Sequence, residues 1–170
     1  GGVGKTTLAT ALYAKISHQF DACCFIGDVS KIYGDHGPIG VQKQLLCQTL
    51  KEENLQIHNL PMASNLIQTR LSKIKSLVVL DNVDKFEQLD KIDMKRDWLG
   101  TWSRIIIISR NRHILTEHDV DKVYRVPHLD PKHALQLFCR KAFKSDNIIS
   151  GYIYLTYEVL AYANGLPLAF

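Results

Sequence analysis

The chain has 170 residues, about one domain at roughly 100–200 residues each, and is long enough to bury a core. Hydrophobic residues make up 46% and charged residues 22%, a globular composition that excludes wholesale disorder and collagen-like repeats. Lys and Arg exceed Asp and Glu by 21 to 17; the basic residues are scattered, with no aromatic-basic ladder, which argues for a solvated surface and against a nucleic-acid interface.

Periodicity predicts alternating helices and strands. Residues 5–20 read as a helix with Leu8, Ala11, Leu12 and Ile16 on one stripe. Residues 23–29 (CCFIGDV) read as a strand, 39–53 as a helix after the Gly37-Pro38 breaker, and 62–74 as a shorter helix. Ser76 to Val83 and Ser103 to Ser109 are apolar runs without alternation, as in parallel strands buried on both faces. A further short strand is expected at 122–126. After Pro127 the pattern turns helical, with Leu135, Phe138, Cys139 and Ala142 on one stripe and Tyr152, Leu155, Val159, Tyr162 and Ala163 on another.

Strands separated by helices imply βαβ units and a doubly wound parallel α/β sheet, here over residues 1–127. A small helical subdomain is expected over 128–170. The chain opens without an initiator Met and closes just after Leu-Pro-Leu-Ala, so both termini are expected to be cuts through a longer chain, the first sheet strand lying upstream. No apolar run approaches the roughly 18 residues of a membrane helix. The four cysteines form no CxxC pair. Cys23 and Cys24, adjacent in a strand, should face opposite ways, and reduced core thiols fit a cytosolic compartment.

Gly1-Gly2-Val3-Gly4-Lys5-Thr6-Thr7 carries the end of a Walker A motif. Glycines let backbone N–H groups wrap phosphates in conformations where a Cβ would clash. The helix that follows aims its unpaired N–H groups and positive dipole end at the same anion. Lys5 is placed to reach the β- and γ-phosphates, Thr6 to put its hydroxyl on Mg²⁺, and Thr7 to assist at the α-phosphate. A second metal carboxylate must come from a neighbouring strand end, and Asp81, after Leu77-Val78-Val79-Leu80, fits. Asn82 stands where a second acid would polarise attacking water, and an amide is a weak or absent base. Asp84 is acidic too and lies beyond the strand. His113 and His118 have no Cys nearby and read as surface or helix-end residues.

With these motifs in hand, the chain resembles the NB-ARC nucleotide-binding region of plant disease-resistance proteins. The matching segments are GGVGKTT, CCFIGDVS, GPIGVQKQLL, LVVLDNVD, SRIIIISR, YRVPHLDPKHALQLFCRKAF and GLPLAF, in that order. Asp84 closing the acidic strand makes it look like the class with an N-terminal TIR domain. The resemblance implies an ADP-bound resting state that exchanges to an ATP-bound active one, TIR and leucine-rich-repeat domains in the parent chain, and a homo-oligomer when active. It implies a cytoplasmic location, extending to the nucleus, and at most a slow regulatory ATPase. It places the γ-phosphate sensor on Arg110, whose guanidinium fork suits phosphate oxygens, and adenine packing on Pro167. Read without it, Arg110 is a solvated strand-end charge and Gly165-Leu166-Pro167 a helix stop and restart. Two positions depart from the family pattern: Trp102 fills a turn position normally Gly, so that turn is expected to be strained or differently shaped, and Asn111 replaces a frequent Asp.

A P-loop ATPase with fast turnover, of the partitioning type that also carries GGVGKTT, is the competing reading. The SRIIIISR and GLPLAF segments favour the switch.

Overall fold

The computed structural model describes residues 1–92, 98–118 and 120–170. The chain divides into two units, one of Leu8–Val123 and one of Gly1–Thr7 with Tyr124–Phe170. Among the described residues no helix is long and apolar enough to cross a membrane.

The first unit is built on three parallel strands, β1 (Ala22–Ile26), β2 (Ser76–Val83) and β3 (Arg104–Ser109), in the order β1-β2-β3. Cys24 pairs with Val78 and Val78 with Ile105, while Ile26 pairs with Leu80 and Leu80 with Ile107. Successive side chains alternate between the two sheet faces, so these six residues line one face. They form one core with Val29, Val41, Leu45 and Leu46 of helix α2 (Val29–Leu50) and Ala63, Ile67 and Leu71 of α3 (Leu60–Leu71). Phe25, Val79, Ile106 and Ile108 line the other face with Ala9 and Tyr13 of α1 (Lys5–Ile16). Burying each Leu or Ile contributes about 1.5–3 kcal/mol relative to exposure. Helices on both faces explain why β2 is apolar along its length instead of alternating.

The two adjacent cysteines part as their spacing predicts. Cys24 is fully buried in the α2 core, and the Cys23 thiol donates to the Ser17 carbonyl on the α1 side. Burial pushes the Cys24 thiol up to about 12, with the neighbouring Cys23 adding to the shift. All four cysteines are free thiols.

Helix α2 begins earlier than its periodicity suggests. It starts at Val29, capped by Asp28, whose side chain accepts from the Lys31 N–H. The Gly37-Pro38 breaker acts inside it: Gly37 takes φ 66° and ψ −171°, interrupting the helix. Pro38 then serves as a first-turn residue, where its missing N–H costs nothing. Two short helices, α4 (Phe86–Ile92) and α5 (Arg112–Glu117), have too few turns to show a stripe in sequence. The strand expected at 122–126 does not form; the segment is irregular and pairs with no neighbour among the described residues. Its few β-branched residues give a preference too weak to make a strand without cross-strand packing.

In the second unit, α6 (Pro131–Ala142) is capped by Asp130, which accepts from the N–H groups of Lys132 and His133. Helix α7 spans Ile153–Ala163. Phe138 meets Phe143 edge-on at 5.7 Å and Phe170 at 6.1 Å between centroids, supplying the apolar contacts of this small unit. Asn164 and Gly165 both adopt positive φ and stop α7, and a 3-10 turn restarts at Pro167. A Cβ on Gly165 would lie 2.3 Å from the Leu129 carbonyl oxygen, so this stop requires glycine.

Trp102 has φ 68° and is 72% exposed. The strain expected from a side chain at this turn position is present, because the left-handed region crowds any Cβ.

Candidate functional site

The predicted site residues fall into two sets, each within one unit. In the second unit are Gly1 to Thr7 and Pro167. Gly2 and Gly4 take φ 81° and 87°, conformations that disfavour other residues. Helix α1 starts directly afterwards at Lys5, with no acidic residue in its first turn to compete for its N–H groups. A Cβ on Gly4 would meet nothing within 4 Å, so its backbone borders open space. Gly2 is different. Its carbonyl accepts from the Leu168 N–H at 3.2 Å, and a Cβ there would sit 2.8 Å from the Leu168 Cβ and 3.6 Å from a Leu166 methyl. The Gly-Leu-Pro-Leu segment therefore braces the glycine loop through its two leucines, with Pro167 half-buried between them.

In the first unit, Asp81, Asn82 and Arg110 gather at the carboxyl edge of the parallel sheet, the edge where α/β proteins bind ligands. Leu80 pairs with Ile107 and Val83 with Ser109, so β2 advances three residues where β3 advances two. The extra residue is a bulge at Asp81-Asn82. Bulges re-aim side chains and are over-represented beside active sites. Asp81 is 7% exposed, whereas Asn82, at φ 57°, is more accessible. Arg110 follows β3 directly and is exposed.

Asp84 faces another task. Its backbone N–H donates to Gln88 Oε1 at 3.0 Å and its Oδ1 accepts from Gln88 Nε2 at 2.7 Å. This reciprocal pair starts α4 around a nearly buried glutamine and commits Asp84 to the fold.

Sequence reading passed over one member of this edge. Asp28, just past β1, accepts from Asn82 Nδ2 at 2.7 Å. The available signal was an acid closing an apolar strand, the same that marks Asp81. Among the described residues no group of three or more His, Cys, Asp and Glu is placed to hold a metal. His113 pairs with Glu117 at 2.9 Å, and His118 lies against Phe86.

The family model for the NB-ARC domain matches residues 1–147. Over 170 residues the chain is 37% identical to disease resistance protein RUN1 of Vitis rotundifolia, covering 99% of the chain and 13% of the relative. It is 36% identical over 170 residues to disease resistance protein RPV1 of the same species, covering 99% and 12%. It is 35% identical over 176 residues to TMV resistance protein N of Nicotiana glutinosa, covering 99% and 15%. The chain thus spans roughly an eighth of the length of these curated relatives.

Proposed function

The chain belongs to the NB-ARC family, and on that premise we propose that it is the ATP/ADP switch module of a plant immune receptor. The observation that carries this reading is the glycine loop: Gly2 and Gly4 at positive φ, open space beside Gly4, and a helix beginning at Lys5 with no acid in its first turn. This chemistry suits a phosphate chain. Lys5 would neutralise the outer phosphates, and Thr6 with Asp81 would hold Mg²⁺, which would screen phosphate charge. Arg110, exposed at a strand end, would sense the γ-phosphate, and Pro167 would pack on the adenine.

Turnover is expected to be slow. The residue after Asp81 is an amide, which orients water without taking its proton, so the rate should fall well below the roughly 1–100 s⁻¹ of kinases. A switch tolerates this, since the long-lived ATP state is its output. The names of the relatives, all resistance proteins, support a defence role. In this reading the parent chain supplies TIR and leucine-rich-repeat domains, the active state is a homo-oligomer in the cytoplasm or nucleus, and the nucleotide subdomain of residues 1–127 gives way to a helical one at 128.

Calorimetry with Mg-ATP and Mg-ADP tests the proposal. Both should bind, and Lys5→Ala should weaken binding roughly ten- to a hundredfold, the loss of a charge-assisted contact of about 1.5–3 kcal/mol. Unchanged affinity in that variant would remove the phosphate-loop assignment.

A further inference from the structure

At the carboxyl edge of the sheet, adjacent parallel strands end in residues that share an unusual conformation. Asp28 after β1 has φ 54° and Asn82 in the β2 bulge has φ 57°. Left-handed backbone costs an L-residue roughly 1–2 kcal/mol, least for Asn and Asp. Holding two such residues side by side requires a compensating interaction. The Asn82 Nδ2 to Asp28 Oδ1 hydrogen bond at 2.7 Å supplies it.

That bond also decides which way the carboxamide points. A carboxylate only accepts, so it selects the orientation with Nδ2 toward Asp28 and turns Oδ1 the other way. Asp28 is itself restrained, because the same Oδ1 accepts from the Lys31 N–H at the start of α2. No described residue donates to Asn82 Oδ1. An oriented carbonyl acceptor is what positioning an attacking water requires where no base is present.

We propose that Asp28 is a positioning residue for the slow hydrolysis, holding the Asn82 carboxamide so that its Oδ1 accepts a hydrogen bond from the attacking water. This rests on the nucleotide-switch reading above. The water oxygen bonds to the terminal phosphorus as the bond from that phosphorus to the bridging oxygen breaks. The electron pair leaves with ADP, and the water proton passes to the released phosphate. Asn82 steers the water and takes no proton.

The test compares Asp28→Asn, Asn82→Asp and the swap carrying both, by ATP turnover and by calorimetry. Asparagine accepts positive φ and caps helices about as well as aspartate, so Asp28→Asn keeps the fold while removing the negative charge and the acceptor-only character. Its kcat should fall about tenfold with ATP affinity and melting temperature unchanged. Asn82→Asp alone sets two carboxylates against each other and should gain little. The swap restores the hydrogen bond with its donor on residue 28 and puts a base at 82, so its turnover should exceed that of the unmodified chain.

Unchanged kcat in Asp28→Asn, or a parallel loss of kcat, affinity and melting temperature, overturns the positioning role. So does a chain that binds ATP without hydrolysing it. A chain that binds no nucleotide overturns the switch reading itself, which keeps the two failures distinct.

Discussion

Leu168 donates its backbone N–H to the carbonyl oxygen of Gly2 at 3.2 Å, and its side chain fills the space that a Cβ on Gly2 would need. Gly4 has the same handedness without the neighbour. Gly4→Ala should therefore lose only the left-handed penalty, about 1–2 kcal/mol, whereas Gly2→Ala adds a clash with Leu168. Urea titration of the nucleotide-free chain should rank Gly2→Ala as the less stable variant. Equal midpoints would show that the leucine does not brace the loop.

Arg110 stands exposed beyond β3, so truncating it leaves the core intact. Arg110→Ala should lower ATP affinity roughly tenfold and leave ADP affinity and melting temperature alone. Matched losses for both nucleotides in calorimetry would assign it a structural role.

The Asp84 carboxylate is held by Gln88 at 2.7 Å. Asp84→Ala should cost about 1 kcal/mol, as helix-cap removals do, without changing ATP turnover. A fall in kcat at unchanged stability would return Asp84 to the chemistry.

Trp102 combines φ 68° with 72% exposure, so little packing would be lost with its side chain. Trp102→Gly should stabilise the chain by about 1 kcal/mol, the relief of left-handed strain less the added freedom of glycine in the unfolded state. A lower melting temperature would mean that the indole packs in a way its exposure does not reveal.

Cys24 is buried and its thiol is pushed up to about 12 from an ordinary 9.0, mainly by desolvation. Between those values the unfolded chain sheds a proton that the folded chain keeps. The stability tied to Cys24 is complete below pH about 9 and is lost as pH rises toward 12. Urea midpoints should fall over that window, and Cys24→Val should flatten the fall. Iodoacetamide at neutral pH should label Cys23 before Cys24.

The alternation of strands and helices, a glycine loop leading into α1, an acid near the end of β2 and the strained turn at Trp102 were legible in the sequence, because each is a local matter of periodicity, spacing or a residue's own φ preference. Strand β2 was read to the residue, since an apolar run ending in Asp-Asn has few other solutions. The strand expected at 122–126 did not form, as β structure needs a partner that composition cannot supply. Three features were decided only by tertiary structure: the bulge that turns Asp81 and Asn82, the Asp28–Asn82 bond across neighbouring strand ends, and the seating of Leu168 on Gly2. Each joins residues that are local neighbours only after the chain has folded. Strand register fixes the first two and the return of the chain after α7 fixes the third, and neither is written in any one segment.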